Sequence, residues 1–282
     1  MQITSIAILV NSRAGNGKSN KIGKWLQDQL AIKRIQCQLF AGDWPVKLTD
    51  FSDIWVIGGD GTINYFINQY PNCHLPITLF KGGTGDDFAW KLYGEISIAE
   101  QFVIALQSTP KYIDAGKCND QLFLNCVGVG FDGEIIRSMN TIRFLGGHIG
   151  YLIAVILKIF SFKEYTFSVI AAEKKWKEPF LLLLIMNSAR AGGGFFIAPE
   201  ASLTDGILNM ILCKKLPIWK RLKYLPVIKK GKHLHLPFVT QCLGKSFSIT
   251  CEKELSIQID GELLKAEKLM IEIQPNKFLF RY

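Results

Sequence analysis

The chain has 282 residues and a formal net charge of +9, and 49% of its residues are hydrophobic. This length is sufficient for two domains with sizeable cores, and the composition favours a soluble enzyme. The seven cysteines are odd in number and include no Cys-x-x-Cys pair, which argues against a disulfide framework and for a reduced, cytoplasmic compartment. The longest apolar stretch, residues 149–162, contains Lys158 and falls short of the roughly 20 residues that a membrane-spanning helix needs.

The first third of the chain alternates strand-like and helix-like segments. Its first ten residues carry neither a charged leader nor a small-residue cleavage site, so they predict a strand and not a signal peptide. The predicted strands are residues 3–10, 34–40, 54–57 and 77–80, and the predicted helices are residues 19–32 and 97–107. This alternation predicts a parallel sheet with helices on both faces.

Two glycine-rich turns follow the third and fourth of these strands. The first has the sequence Gly-Gly-Asp-Gly-Thr-Ile-Asn over residues 58–64, and the second has Gly-Gly-Thr-Gly-Asp-Asp-Phe over residues 82–88. A glycine-rich turn lets the backbone approach a phosphate closely, and a helix that begins after it directs unpaired N–H groups at the anion. Two such turns at neighbouring strand ends predict a binding site for a nucleotide triphosphate.

After Pro110 the pattern changes to many short strands with few helices. The predicted strands are residues 111–117, 121–129, 165–172, 180–187, 207–213, 237–242, 246–251, 254–259 and 269–274. Two segments, residues 133–162 and 217–231, have helical patterns. These features predict a mainly antiparallel β domain, a sandwich or a barrel, with a domain boundary near residues 110–120.

The excess positive charge is concentrated in one segment. Residues 207–250 contain nine bases and no acid, so the other 24 bases balance the 24 acids of the chain. Eight of the nine bases lie in residues 214–232, among apolar residues that include Trp219, Leu222 and Leu225 at spacings of three. A solvated basic face, a nucleic-acid surface and an anionic membrane surface all stay open, and the interleaved apolar residues favour the membrane over nucleic acid.

Several further motifs are ambiguous. Residues 11–19 approach a P-loop, but Ser12 stands where that motif needs its first glycine. Residues 128–133 match Gly-x-Gly-x-x-Gly but lie beyond the α/β region, so we do not expect a dinucleotide site there. Asp205-Gly206 and Asp260-Gly261 fit hairpin turns. Alternatively, one carboxylate could hold Mg²⁺ and the other could accept a proton from a substrate hydroxyl.

In combination, these motifs resemble the diacylglycerol kinase catalytic family in its bacterial lipid kinase branch, and also sphingosine and ceramide kinases. Residues 11–15 are similar to the family's Asn-Pro-x-Ser-Gly turn, residues 58–64 to its Gly-Gly-Asp-Gly-Thr-x-Asn signature, and residues 83–89 to its Gly-Thr-x-Asn-Asp-Phe-Ala motif. Further matches follow in the family's order at Asn125, residues 130–132, residues 192–194, residues 198–201, residues 203–206 and residues 260–262. The resemblance therefore covers nearly the whole chain.

The resemblance implies a fold with an α/β N-terminal Rossmann-like domain and a mainly antiparallel β-sandwich C-terminal domain, with the active site in the interdomain cleft. The first domain would comprise residues 1–113 and the returning segment 268–282, and the second would comprise residues 114–267. The implied activity is transfer of the γ-phosphoryl group of ATP to a hydroxyl of diacylglycerol or a related lipid alcohol, with Mg²⁺ as cofactor.

By matching position, the resemblance also implies site residues. Asp260 would be the general base, and Asp60 would act at the phosphate and metal centre. Asp205 would hold a structural Mg²⁺ with the backbone carbonyls of Ser202 and Ile207. The nucleotide would be contacted by Asn11, Gly15, Gly58, Gly59, Asp60, Gly61, Thr62, Ile63, Asn64 and Thr84.

Three departures from the family pattern bear on ATP binding. Asp86 stands where the family has Asn, and Tyr65 stands where Glu follows the signature. Residues 40–42 lack the threonine that is often found at the end of the second strand. Two alternatives to a lipid kinase stay open. NAD kinases share the Gly-Gly-Asp-Gly-Thr signature, so the chain could be an NAD kinase-like enzyme that acts on a soluble nucleotide, and Asp86 and Tyr65 leave open a non-catalytic, nucleotide-dependent membrane-binding module.

The expected partners follow from the same features. They are a lipid alcohol substrate and, through the basic segment 214–232, an anionic membrane, whereas no nucleic acid is expected and a homodimer is left open. Residues 149–162 and the apolar faces of the β domain could line a groove for acyl chains. We therefore expect a cytoplasmic, peripherally membrane-associated protein.

Overall fold

The computed structural model describes residues 3–12, 14–141 and 147–282. The chain divides into two compact units, one formed by Met1–Ile113 with Asn276–Tyr282 and the other by Asp114–Pro275. It leaves the first unit along β5 (Lys111–Cys118) and returns along the last strand, β15 (Glu262–Phe280). Both connections between the units are therefore made by strands.

The first unit alternates strands and helices. In chain order its elements are β1 (Ser5–Val10), α1 (Lys18–Ile32), β2 (Gln36–Ala41), β3 (Asp53–Gly58), α2 (Asp60–Gln69), β4 (Ile77–Lys81), α3 (Asp87–Tyr93) and α4 (Ile98–Gln107). The strands pair in parallel in the order β2-β1-β3-β4, and the end of β15 pairs in parallel with β4. Every residue of β3 is buried, as expected for a parallel strand covered on both faces. The predicted α/β domain is confirmed.

Helices α1 and α4 cover one face of this sheet. Ile22, Leu26 and Leu30 recur at helical spacing on the buried side of α1 and join the core of the unit. Phe102 of α4 packs edge-on against Trp55 of β3, with 5.8 Å between the ring centroids. The sheet and its helices thus fix the carboxyl ends of β1, β3 and β4, where the polar turns begin.

The second unit is mainly antiparallel β, which confirms the second part of the predicted fold class. Besides parts of β5 and β15 it contains β6 (Gln121–Phe123), β7 (Cys126–Gly130), α5 (Phe131–Thr141), α6 (Gly147–Ser161), β8 (Tyr165–Ala171), β9 (Lys174–Met186), β10 (Arg190–Ala191), β11 (Phe195–Phe196), β12 (Leu208–Lys214), α7 (Ile218–Lys229), β13 (Val239–Gly244) and β14 (Ser246–Ile259). The strand order is β13-β12-β9-β7-β14-β15, and β8 pairs with β9 and β14. The two strands predicted over 246–251 and 254–259 are one strand, β14, with a register shift between Thr250 and Leu255.

The apolar stretch at residues 149–162 lies mostly on α6. Residues 142–146 before it, which belong to the segment 133–162 with a helical pattern, lie outside the described residues. Over the part of the chain that the structure describes, no helix has the length and hydropathy that a membrane crossing requires.

Arg281 fastens the C-terminal end of the chain to the first unit. Its Nε lies 2.5 Å from Asp53 Oδ1, and both side chains are almost fully buried. The Arg281 backbone donates to the carbonyl of Ile77 at 2.9 Å, and its own carbonyl accepts from the Tyr93 hydroxyl at 2.8 Å. Burial raises the pKa of Asp53, and the Arg281 guanidinium opposes that shift. The Arg281 guanidinium therefore stabilises the charged form of the buried Asp53 carboxylate.

We expect Arg281→Met to lower the free energy of unfolding by about 3–5 kcal/mol, because it leaves a buried carboxylate without its cation. Urea unfolding followed by circular dichroism would measure the change. Lys33→Met, at an exposed position of the same unit, serves as the control. If Arg281→Met unfolds at the same urea concentration as the wild type, the ion pair does not hold the C-terminal segment in place.

Candidate active site

Three polar turns meet at the carboxyl ends of β1, β3 and β4 in the first unit. The Gly82 N–H donates to the Gly58 carbonyl at 3.0 Å, and the Ser19 hydroxyl donates to the Gly82 carbonyl at 3.2 Å. Asn11 Nδ2 donates to Thr62 Oγ1 at 2.9 Å. Turns that are far apart in the sequence thus form one surface of this unit.

The glycines of the two signature turns are required by the close approach of the chain. A Cβ atom added at Gly58 would lie 2.2 Å from Thr62 Oγ1, and one added at Gly83 would lie 2.4 Å from the Gly59 Cα. No side chain fits at these distances, so Thr62 can pack against the end of β3, and the two signature turns can approach each other, only with glycine at these positions. In the first turn of α2 the Thr62 and Ile63 N–H groups donate to the Gly59 carbonyl at 2.9 Å and 3.2 Å, and the exposed Gly61 lies at the start of the helix, where the positive end of the helix dipole favours an anion.

The turn after β1 completes this surface. Asn11 donates its backbone N–H to the Ile57 carbonyl at 3.2 Å, which places it beside the end of β3. Gly15 has a φ of +60°, and a Cβ atom there would lie 2.3 Å from the Gly82 carbonyl oxygen. Arg13, within the family-like turn, lies outside the described residues. Asn11 and Gly15 are therefore brought to the other two turns, as the sequence motifs indicate.

Asp60 holds the start of the neighbouring helix α3. Its two carboxylate oxygens accept hydrogen bonds from the backbone N–H groups of Phe88 at 2.9 Å and Asp87 at 3.0 Å. These N–H groups belong to the first turn of α3, where no carbonyl of the helix can reach them. Asp60 therefore links α2 to α3 and sets the position of the second signature turn.

Asp86, the departure from the family pattern, is held close to Asp60. Its backbone is left-handed, with a φ of 49°, and its Oδ1 accepts the Gly83 N–H at 3.0 Å. Burial raises the pKa of Asp86 to about 6, and the Asp60 carboxylate contributes to the rise. The Gly83 hydrogen bond and the charges of Lys18 and Lys81 oppose it. The second turn thus carries an acid whose charge is costly in the folded protein.

The remaining predicted nucleotide residues divide into two groups. Gly61 and Thr84 are exposed at the turns, where a ligand can reach them. Ile63 is 1% exposed, and Asn64 is also buried and accepts hydrogen bonds from the Asn68 side chain through its carbonyl and Oδ1. The side chains of Ile63 and Asn64 therefore lie inside the protein, and their contact with a nucleotide stays a prediction.

In the second unit, Asp260 connects the end of β14 to the segment that leads into β7. Its carboxylate accepts three backbone N–H groups, from Leu124 at 2.7 Å, Asn125 at 2.9 Å and Cys126 at 2.8 Å. Asp260 itself has a left-handed φ of 47°, which is typical of a tight turn. The carboxylate is therefore buried and firmly oriented by the backbone.

Gln258, which no sequence motif indicated, lies beside this turn. Its Oε1 accepts the Gly261 N–H at 2.8 Å, and its Nε2 contacts Cys126 Sγ at 3.1 Å. Burial raises the pKa of Asp132 to about 6, and a hydrogen bond from Gln258 opposes the shift. A Cβ atom at Gly128 would lie 2.1 Å from Asp132 Oδ2, so this glycine makes room for the carboxyl group. The Gly-x-Gly-x-x-Gly pattern is thus explained by packing around an antiparallel strand.

The predicted metal ligands lie in one turn before β12. Asp205 is exposed, and its Oδ1 accepts the Ile207 N–H at 3.0 Å, while Ser202 contributes a hydroxyl to the same turn. The buried Asp114, which the sequence analysis did not select, accepts the Gly206 N–H at 2.7 Å and fixes the turn. Among the described residues no group of three or more His, Cys, Asp or Glu side chains could hold a metal ion. A cation here would be bound by one carboxylate and backbone carbonyls, which are hard oxygen donors.

The arrangement can be compared with known protein families. A model of the diacylglycerol kinase catalytic domain matches residues 5–118, and a model described as the YegS C-terminal NAD kinase beta sandwich-like domain matches residues 125–279. The chain is 28% identical over 233 residues to a protein of Shewanella frigidimarina named probable lipid kinase YegS-like, covering 79% of this chain and 74% of that protein. A protein of the same name from Chromohalobacter salexigens is 26% identical over 224 residues, covering 77% and 72%.

Solved structures show the same fold. A diacylglycerol kinase from Bacillus anthracis aligns with a TM-score of 0.76 and 21% identity, covering 100% of this chain and 98% of that one. An NAD kinase from Archaeoglobus fulgidus, solved in complex with ATP, aligns with a TM-score of 0.60 and 14% identity, covering 99% and 94%. At these identities the structures establish the fold alone.

We expect Asp86→Asn to stabilise the protein, and more so at neutral than at acidic pH. Because folding raises the pKa of Asp86 from 3.8 to about 6, its charge destabilises the folded state above about pH 6 and has no effect below about pH 4. At about 1.4 kcal/mol per pKa unit, the gain at neutral pH is at most about 3 kcal/mol. Asparagine keeps the oxygen that accepts the Gly83 N–H.

Urea unfolding at several pH values between about 4 and 7 tests this expectation. The exposed Asp28→Asn is the matched control, for which we expect no pH-dependent gain. A stability gain for Asp86→Asn that is constant with pH would contradict the assignment of the charge as the cause.

Proposed function

We propose a function for this chain from the premise that it belongs to the diacylglycerol kinase catalytic family, in the branch with a YegS-type C-terminal domain. Members of this branch with similar sequences are named lipid kinases, and the chain is a lipid kinase. The proposed reaction transfers the γ-phosphoryl group of ATP to a hydroxyl of diacylglycerol or a related lipid alcohol. The proposed location is the cytoplasm.

The observation that carries this proposal is the convergence of three glycine-containing turns on one surface of the first unit. The contacts of Asn11 with Thr62 and of Gly82 with Gly58 bring the turns together. Phosphoryl transfer mainly requires that a protein position the reacting groups and neutralise the charge of the phosphates. The exposed start of α2 at Gly61 and the exposed turn at Thr84 are suited to hold nucleotide phosphates, because the positive end of a helix dipole attracts anions.

Asp205 is the proposed ligand of a structural Mg²⁺. Its carboxylate is exposed in a turn that Asp114 fixes, and the backbone carbonyls of Ser202 and Ile207 would add two oxygen ligands. This donor set fits a hard cation such as Mg²⁺. When bound at the nucleotide, Mg²⁺ would neutralise charge on the phosphate oxygens.

Asp260 is the proposed general base. In the transfer step the lipid hydroxyl oxygen forms a bond to the γ-phosphorus, the bond from that phosphorus to the bridging oxygen breaks, and ADP leaves. Asp260 would accept the hydroxyl proton. Backbone amides of residues 124–126 donate to both oxygens of the Asp260 carboxylate. These amides support the role by holding the carboxylate in one orientation.

The likeness to an NAD kinase concerns the fold and carries no substrate preference. A soluble nucleotide acceptor is therefore tested beside the lipids. Radiolabelled ATP would be supplied with diacylglycerol, phosphatidylglycerol, a sphingoid base and NAD, and the products separated by chromatography. We expect label in at least one lipid product and none in NADP. Label in NADP alone would overturn the proposal.

In the same assay Asp260→Asn should lose activity by a factor of about 10²–10⁴, the range of a general base. Asn keeps the shape of the side chain but cannot take the proton, and its NH2 group replaces one of the two oxygens that accept backbone N–H groups, so circular dichroism must show that the variant is folded. ATP affinity, measured by titration calorimetry, should stay near the wild-type value, and Asp28→Asn should be fully active. Turnover by Asp260→Asn within a few-fold of wild type would leave Asp260 with the structural role alone.

We expect Asp205→Ala to abolish the rise in thermal stability that Mg²⁺ gives the wild type. A ligand that binds only the folded state stabilises it in proportion to its saturation. Thermal unfolding with and without Mg²⁺ measures the effect. Asp120→Ala, in the turn between β5 and β6 of the same unit, is the control. An equal Mg²⁺ response in wild type and Asp205→Ala would show that Asp205 is no ligand.

A further inference from the structure

Helices α6 and α7 of the second unit both carry exposed large apolar side chains. These are Ile156, Leu157 and Phe160 on α6, with 41%, 55% and 57% of their surface exposed, and Ile218, Trp219 and Leu222 on α7, with 40%, 60% and 40% exposed. On each helix the three positions follow the same pattern, i, i+1 and i+4, which places them on one side of the helix. Single exposed apolar residues are common, whereas a group on neighbouring elements marks an interaction site.

Arg221 joins the two helices. Its guanidinium donates to the carbonyls of Ile159 and Phe162, both at 3.1 Å, at the C-terminal end of α6. It also forms an ion pair with Glu164 at 2.6 Å, and both side chains are buried. Phe160 is adjacent to Ile159 in the chain and Leu222 to Arg221, so the exposed side chains are carried by two helices that contact each other at this point.

The contacts of Arg221 correct one expectation from the sequence. The sequence predicts that Arg221 faces a membrane with the other bases of the segment 214–232. In the structure its buried side chain instead donates to backbone carbonyls and pairs with Glu164. Leu225, the third residue of the predicted apolar stripe, packs inward against the buried cluster that contains Ile159. The outward-facing residues are therefore Trp219 and Leu222, joined by residues of α6.

Lysines border these apolar side chains. Lys215 and Lys223 are exposed on the α7 side, and Lys163 is exposed just after α6. Lys220 lies over the Trp219 ring, with 5.4 Å from Nζ to the ring centroid. Lys214 differs, since it pairs with Glu178 at 3.4 Å. The exposed apolar side chains of α6 and α7 thus have lysines close to them in the chain.

We propose that the exposed faces of α6 and α7 together form a docking surface for an anionic lipid bilayer, with Arg221 as the residue that holds the two helices in register. Apolar side chains enter the interface between head groups and acyl chains, while bordering lysines contact anionic head groups. The inference does not depend on the proposed reaction, because vesicle binding is measured without nucleotide or substrate.

The charge pattern favours this occupant over others. A second copy bound through the same surface would set lysines against lysines, which is unfavourable. Nucleic acid would meet the lysines but leave the aliphatic side chains of Leu157, Ile218 and Leu222 without apolar contacts. An anionic bilayer satisfies both parts of the surface.

The test compares binding to vesicles of phosphatidylcholine with phosphatidylglycerol and to vesicles of phosphatidylcholine alone. We expect tighter binding to the anionic vesicles, and weaker binding at high salt. The variant Lys215→Gln, Lys220→Gln, Lys223→Gln should lower the partition coefficient about 100-fold, from about 1 kcal/mol per base. The variant Trp219→Ser, Leu222→Ser should lower binding to both kinds of vesicle.

Matched controls are available in the same unit. Lys174, Lys175 and Lys177 are exposed on the β8–β9 hairpin, and Leu243 and Met270 are exposed apolar residues on other strands. Changing the three hairpin lysines to Gln, or Leu243 and Met270 to Ser, should leave vesicle binding unchanged. Equal losses in test and control variants would overturn the proposal, as would unchanged binding in the test variants.

Two further measurements separate the other occupants and the proposed reaction. Sedimentation velocity would show whether the double variant Trp219→Ser, Leu222→Ser dissociates a dimer. If it does, and if vesicle binding is unchanged, the surface is an interface between two copies of the chain and the proposal fails. Nucleic-acid binding that disappears in the lysine variant without loss of vesicle binding would overturn it equally. Phosphorylation of detergent-dispersed lipid should survive in both variants, so a failed docking surface and a failed lipid kinase give different results.

Discussion

Backbone N–H groups held by aspartate carboxylates fix the functional turns in both units. Asp60 accepts the first two amides of α3, and Asp260 accepts three successive amides before β7. Asp114 does the same for the turn that contains Asp205. Hydrogen bonds to a charged acceptor are stronger than those between neutral groups. The positions of the turn before α3, the turn that contains Asp205 and the segment before β7 depend on these contacts.

The same arrangement concentrates negative charge where anionic phosphates are proposed to bind. Asp60 satisfies helix amides, whereas Asp86 lies beside it and is disfavoured in its charged form. Lys18 and Lys81 reduce this repulsion. The helix N-terminus of this surface would therefore attract the phosphates of a nucleotide, whereas the Asp86 carboxylate would repel them. A bound divalent cation would reduce that repulsion.

Strand and helix positions were largely predictable, because apolar periodicity and glycine turns are local signals. Helix α1 and the buried strands β1 and β3 follow the sequence pattern closely. The burial of Arg221 was not predictable, since its partners Glu164 and the carbonyls of α6 are about sixty residues away. The same holds for Gln258 and Asp114, which are polar residues inside apolar strands. Only tertiary contacts distinguish such residues from ordinary surface positions.

The close contacts at Gly58 and Gly83 restrict which substitutions these two positions can accept during evolution. Any side chain at either position would collide with Thr62 or with the Gly59 backbone, whether or not a nucleotide is bound. Invariance of these glycines among descendants would therefore be expected even in a lineage that had lost its enzymatic activity. Surviving glycine turns are therefore a record of backbone geometry and do not by themselves indicate retained chemistry.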